Sequence, residues 1–218
     1  MRTHGLFHSG RGLAAGMLLC LGCAEAALGT TIASDFGSGT DGWTHSGASV
    51  FQQQASGGNP GGFLYIDNSE GPITYIFAPA KFLGDLTSLD GGTVSFDGNL
   101  LGIGGSGYTG FEDYGHLQIS GPGGSAVLDL VPGVAPNNTP PIGAWATFSA
   151  SFTAASFGKT QTEWTAILAN VTEVRLSVES LFGNEIEGID NFQLVPEPAL
   201  SLLLGLSGLA LLGRRRRA

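Results

Sequence analysis

Short alternating apolar runs, each closed by a glycine-rich cluster, leave this chain little choice but β structure. Val174, Leu176 and Val178 alternate with Arg175, Ser177 and Glu179. Ala146, Phe148, Ala150 and Phe152 alternate with Thr147, Ser149 and Ser151. A period of two puts one set on each face, so each run reads as a half-buried strand. The same reading predicts strands at 62–67, 73–78, 92–97, 116–120, 126–131 and 189–195. The clusters SGGNPGG, DNSEGP, SGPGGS and PGVAPNNTPP separate them. Glycine supplies 36 of 218 residues with no G-X-Y period, which excludes a collagen-like chain and fits turns. Many short strands at this spacing predict an all-β sandwich or jelly roll. One short helix is predicted over 160–169, where Thr160 and Glu163 fit a capping box.

Both ends differ from this middle. Arg2 and Arg11 precede an apolar run from Leu13 to Leu21 and then Ala24-Glu25-Ala26, the layout of a secretory signal peptide over residues 1–26. Cys20 and Cys23 both fall within it, so the expected core, 27–195, has no cysteine and no disulfide. At the other end, 196–218 carries Pro196, Glu197 and Pro198, an apolar stretch from Ala199 to Gly213, and Arg214, Arg215, Arg216 and Arg217. That stretch is shorter than the roughly 20 residues of a full membrane span, but flanking arginines can snorkel. By the positive-inside rule the arginines hold the C-terminus in the cytoplasm and the core outside. Lys81, Lys159 and Arg175 are the core's only lysines and arginines, against sixteen carboxylates, a net charge of −13. Nucleic acid is a poor partner for such a surface, because binding it needs clustered cations. Neutral glycans and divalent cations suit it better.

The order Pro-Glu-Pro, apolar helix, arginine cluster resembles the PEP-CTERM sorting signal of Gram-negative bacteria. The resemblance implies export, transient anchoring in the inner membrane, processing by an exosortase-type protease, and a final place at the cell surface or outside it. It covers the last 23 residues. The core is similar to the laminin B domain (laminin IV type A). DGWTHSG at 41–47, GGNPGGFLYIDN at 57–68, APAKFLGDLTSLDGGTVSFD at 78–97, EDYGHLQISGPGG at 112–124, Trp145, TEWTAILANVTEVRL at 162–176 and GIDNFQLV at 188–195 carry it. It implies a jelly-roll sandwich of the galactose-binding type, non-catalytic, related in shape to carbohydrate-binding modules.

Three candidate sites follow. Asp35 opens the core and Asp190 closes it. First and last strands of a jelly roll often lie side by side, so the two carboxylates are a candidate structural Ca²⁺ site. The loop GIGGSGYTGFEDYG at 102–115 carries Tyr108, Phe111 and Tyr114, whose rings can stack on sugar faces. Glu112, Asp113 and His116 are placed to take hydroxyls, with exopolysaccharide the expected ligand. Trp43, Trp145 and Trp164 read as core. Glu185 and Glu187 share one strand face, as the acid pair of a retaining glycosidase would. The stronger reading makes Glu185, Glu187 and Asp190 a solvated acidic loop and the protein a non-enzyme. The two alternatives are a structural surface protein without a glycan site and a small glycoside-active enzyme using Glu185 and Glu187. Only His45 and His116 lie in the core, so no Ser-His-Asp or multi-histidine zinc site is evident.

Overall fold

The computed structural model describes residues 29–68, 73–104, 113–132, 139–181 and 183–197. The proposed signal peptide, most of the Gly102–Gly115 loop, Pro198, the apolar stretch and the four terminal arginines lie outside them. Among the described residues no helix is long and apolar enough to cross a membrane.

Two antiparallel sheets face one another. The strands are β1 (Ile32–Ser34), β2 (Thr44–Ser46), β3 (Val50–Gly58), β4 (Gly61–Asn68), β5 (Tyr75–Phe77), β6 (Thr93–Gly104), β7 (His116–Gly121), β8 (Gly124–Asp129), β9 (Ala146–Ser151), β10 (Glu173–Ser177) and β11 (Asn184–Val195). One sheet runs β3-β4-β11-β6-β9, with β1 beside β11; the other runs β2-β5-β10-β7-β8. The all-β sandwich expected from the alternating runs is the observed fold. First and last strands do lie side by side, with Ile32 opposite Leu194 and Ser34 opposite Phe192.

The period-two pattern fills the space between the sheets. Leu64, Ile66, Val94, Phe96, Ile189, Phe192 and Leu194 from one sheet meet Ile76, Leu117, Ile119, Ala126, Val174 and Leu176 from the other in one apolar cluster. The predicted helix is α1 (Gln161–Leu168), and its capping box is formed. The Glu163 backbone N–H donates to Thr160 Oγ1, and the Thr160 N–H donates to Glu163 Oε2 at 2.9 Å. The Thr160 N–H and hydroxyl, both donating to Glu163 Oε2, hold that carboxyl below its usual value. The helix buries Trp164, Ile167 and Leu168. Trp164 stacks on Phe157 at 4.5 Å and donates from Nε1 to Asp90 at 2.9 Å. The turn between β7 and β8 passes under the helix at Gly123, where any Cβ would collide with the Ala166 backbone. Thr160→Ala is expected to lower the melting temperature by about 3 °C, read by calorimetry, because it orphans a first-turn amide.

Several predicted strands change length. β6 continues from the predicted 92–97 through Gly104, and β11 starts at Asn184 rather than 189. The stretch read as a solvated acidic loop is therefore the start of a central strand, with Glu185 and Glu187 buried. Trp43 and Trp164 are core as expected, but Trp145 is not. It lies half-buried on the outer face of the larger sheet, edge-on to Phe63 at 5.4 Å, with Nε1 donating to the Gly57 carbonyl at 2.8 Å. Gly188 makes room for it: a Cβ there would sit 2.8 Å from the Trp145 ring.

Candidate functional site

The outer face of the five-stranded sheet collects the chemistry. Antiparallel register aligns Thr44, Phe77, Arg175, Gln118 and Val127 in one row across it. Tyr75 and Ser177 form the next rung, and His116 faces Asp129. Since alternate residues share a face, Tyr75, Arg175, Ser177, His116 and Gln118 all point outward from the core rows. Together with Asp113 and Val127 they line a shallow recess of about 110 Å³.

Four side chains in the recess, Tyr75, Arg175, Gln118 and His116, are held by neighbours. The Arg175 guanidinium lies 4.6 Å from the centre of the Tyr75 ring, a cation–π contact that fixes both groups. It donates to Gln118 Oε1 at 2.7 Å, and Gln118 Nε2 donates to Ser120 Oγ at 3.0 Å. Its Nε is 3.8 Å from Glu173. His116 sits 3.3 Å from Asp113 and 3.9 Å from Asp129 through its two ring nitrogens. Ser177 Oγ, buried at the floor, has no hydrogen-bond partner among the described residues. Val127 is 49% exposed and offers an apolar rim. An aromatic ring, fixed donors and acceptors, and an unpartnered hydroxyl are what a polyol needs. Glu173, Asp113 and Asp129 around the single arginine disfavour an anionic ligand.

Of the loop residues expected to touch glycan, Asp113 and His116 are in this recess. Tyr108, Phe111 and Glu112 lie outside the described residues. Tyr114 is a correction: it is fully buried, packed with Phe96 and Phe148 at 6.1 and 6.3 Å, so its ring offers no face to a ligand. Its position after a glycine-rich loop hid the fact that it turns inward to fill space above Gly98. Tyr75 and Arg175 were missed as site residues, because each looks like an ordinary member of a strand. Only the register of β5 on β10 joins them.

Asp35 and Asp190 do come near one another, where β1 takes over from β4 along the central strand β11. Asp190 is buried, which pushes its carboxyl above the usual range, and Asp97 and Asp35 push the same way. Backbone N–H groups of Asn59 and Asn191 oppose that, donating to Asp190 at 2.7 and 2.8 Å. Asp97 accepts from Thr147 Oγ1 at 2.6 Å and Asn191 Nδ2 at 2.7 Å. Among the described residues no Lys or Arg pairs with these three carboxylates. The donors are all hard oxygens, which suits Ca²⁺ in chemistry. Among the described residues, however, no three acidic, histidine or cysteine side chains are grouped to hold a metal. A second recess of about 260 Å³ opens between Asp35, Ser38 and the Lys81–Asp41 ion pair.

Glu185 and Glu187 lie between the sheets, fully buried. A sugar chain has no access to them, so they do not form a glycosidase pair.

No family profile matches the sequence, and no curated protein matches it. Solved structures do resemble the fold. An exo-β-agarase matches at 13% identity with a TM-score of 0.50, over 72% of this chain and 24% of that one. This chain thus spans about a quarter of that enzyme's length. The C-terminal family 22 carbohydrate binding module of Clostridium thermocellum Xyn10B matches at 14% identity and TM-score 0.49, over 78% and 97% of the two chains. The L4b domain of human laminin α-2 matches at 12% and 0.42, over 60% and 80%.

Proposed function

We propose that this chain is an exported, non-catalytic module that binds neutral polysaccharide weakly at the cell surface or in the matrix. The observation that carries the reading is the recess of Tyr75, Arg175, Gln118, His116 and Ser177 on an otherwise ordinary sheet face. A part of an exo-β-agarase shares the fold, which fits the reading without fixing a ligand. The tail supports the rest: Pro196, Glu197 and Pro198 with Arg214 to Arg217 form a sorting handle read by an exosortase-type protease, after transient anchoring in the inner membrane. Asp35 and Asp190 hold a structural Ca²⁺ that ties the first strand to the last.

The test is retention of the purified protein on insoluble agarose, xylan, mixed-linkage β-glucan and the producing cell's own exopolysaccharide, with calcium and with EDTA. Retention on at least one neutral polymer is expected. Passage through all four would leave a structural surface protein and sink the glycan reading. For the ion, chelation is expected to lower the melting temperature by about 5 °C, as loss of a ligand bound only to the folded state should. An unchanged value would remove calcium from the proposal.

A further inference from the structure

Three glutamates meet inside the sandwich, at the end where β4 leads toward β5 and β10 toward β11. Glu185 and Glu187 come from β11, and Glu179 from the segment after β10. Each is at most 5% exposed. The Asn68 amide donates to Glu179 and, at 3.4 Å, to Glu185. The Thr74 backbone N–H donates to Glu179 at 3.1 Å, and Ser180 Oγ donates to Glu187. Tyr114 faces Glu187 from the start of β7. None of the ion pairs among the described residues reaches the three glutamates.

The hydrogen-bond inventory is short of donors. Among the described residues, Glu185 Oε2, Glu187 Oε2 and Asn68 Oδ1 are buried acceptors without a partner, and Thr74 Oγ1 and the Tyr114 hydroxyl are unpaired too. Three charged carboxylates in this setting would carry a desolvation cost that these few hydrogen bonds oppose but outweigh in no case, and that no cation among the described residues offsets. A proton on a carboxyl oxygen turns an orphan acceptor into a donor and removes the charge. No metal-holding group of three appears among the described residues.

We propose that the Glu179–Glu185–Glu187 cluster is held protonated in the folded protein and acts as a pH-sensitive latch that closes this end of the sandwich. Burial, with Glu179 beside it, pushes Glu185 up to about 8 from 4.5. Burial also raises Glu187 well above 4.5, and raises Glu179 less. The sign follows from linkage. A carboxyl whose folded value is raised binds its proton more tightly folded than unfolded. Its contribution is complete below about pH 4.5, declines as the unfolded chain ionises, and is gone once pH passes the folded value near 8. The latch therefore loosens as the medium turns alkaline, and first at the β4–β11 rung where Asn68 faces Glu185.

The experiment is thermal unfolding of the full chain in EDTA buffers from pH 5 to 9, beside Glu187→Gln and the Glu185→Gln/Glu187→Gln double variant. Glutamine copies the protonated acid in shape and cannot ionise. The wild type is expected to lose about 5 °C or more across the range. The double variant should match it near pH 5 and exceed it near pH 9. Other titrating groups are common to all three proteins, so the difference isolates the cluster. The single variant keeps the test open if the double one does not fold. Parallel slopes in wild type and variants overturn the proposal, as does a flat wild-type profile. A slope abolished by millimolar Ca²⁺ in wild type but not in Glu187→Gln would make the cluster a cation site and also overturn it.

Discussion

Trp43→Ala is expected to cost about 3–5 kcal/mol, the range for deleting a large buried aromatic side chain. Trp43 is 2% exposed and joins three parts of the chain that are far apart in sequence. Its ring lies 6.2 Å from Phe36, 5.7 Å from Phe82 and 4.9 Å from Phe192, mostly edge to face. Edge-to-face contacts add to the area term because ring edges and faces carry opposite partial charge. The indole N–H donates to Ser34 Oγ at 2.8 Å, and Ser34 donates in turn to Asp41 at 2.7 Å. Burial alone would raise the Asp41 carboxyl, but the hydrogen bonds from Lys81 and Ser34 outweigh it and hold it low. Truncation would thus open a cavity beside β1 and β11 and leave a buried hydroxyl without its donor. Urea unfolding should show a lower midpoint with a similar slope. With no disulfide in the core, no covalent tie limits the loss. A loss of unfolding free energy below about 1 kcal/mol would mean that the Phe82–Phe192 contact, 5.2 Å, holds this corner without the indole.

What the sequence disclosed depended on whether a signal was local. The run from Val174 to Val178 alternates, and β10 is there; Thr160 and Glu163 stand three apart, and the cap is formed. Asp35 and Asp190 were placed together only because jelly rolls close that way, and β1 does pair with β11. β3 was missed because VFQQQASGG has no apolar face to alternate; its pairing with β4 holds it as an edge strand. Glu185 and Glu187 were misread because acids at alternate positions look solvated. Yet they occupy the inward register of Ile189, and the partners that make this tolerable, Asn68 and Ser180, come from other elements. Glu179 was read as the exposed side of its strand for the same reason and is buried. Trp145 was assigned to the core by residue type, but it follows Gly143 and Ala144 onto the outer face. The recess was the hardest to read. His116 and Asp113 were picked out from a loop, but Tyr75 and Arg175 stand 100 residues apart in sequence and meet only through sheet register.

Tyr75→Ala is the substitution expected to hurt function most. If the recess binds glycan, the Tyr75 ring is its flat apolar surface, and Arg175 is poised over that ring while also gripping Gln118. Removing the ring strips the platform and releases the guanidinium, so one change disorders two contacts. Aromatic anchors at binding sites commonly lose about 2 kcal/mol on truncation, or roughly 30-fold in affinity. Arg175→Ala should weaken binding less, since it removes a donor and frees Gln118 but leaves the ring. Folding should survive both, because Tyr75 and Arg175 are only half-buried on an outer face. The opposite sheet supplies a discriminating control: Trp145 and Phe63 form an aromatic pair on the other outer face. Retention measured for Tyr75→Ala and Trp145→Phe on the polymer that binds best assigns the face. Loss in Tyr75→Ala alone fits the recess. Loss in Trp145→Phe with Tyr75→Ala unchanged would move the site to the larger sheet. The recess would then be only a packed polar patch around Arg175, the one arginine of an acidic core.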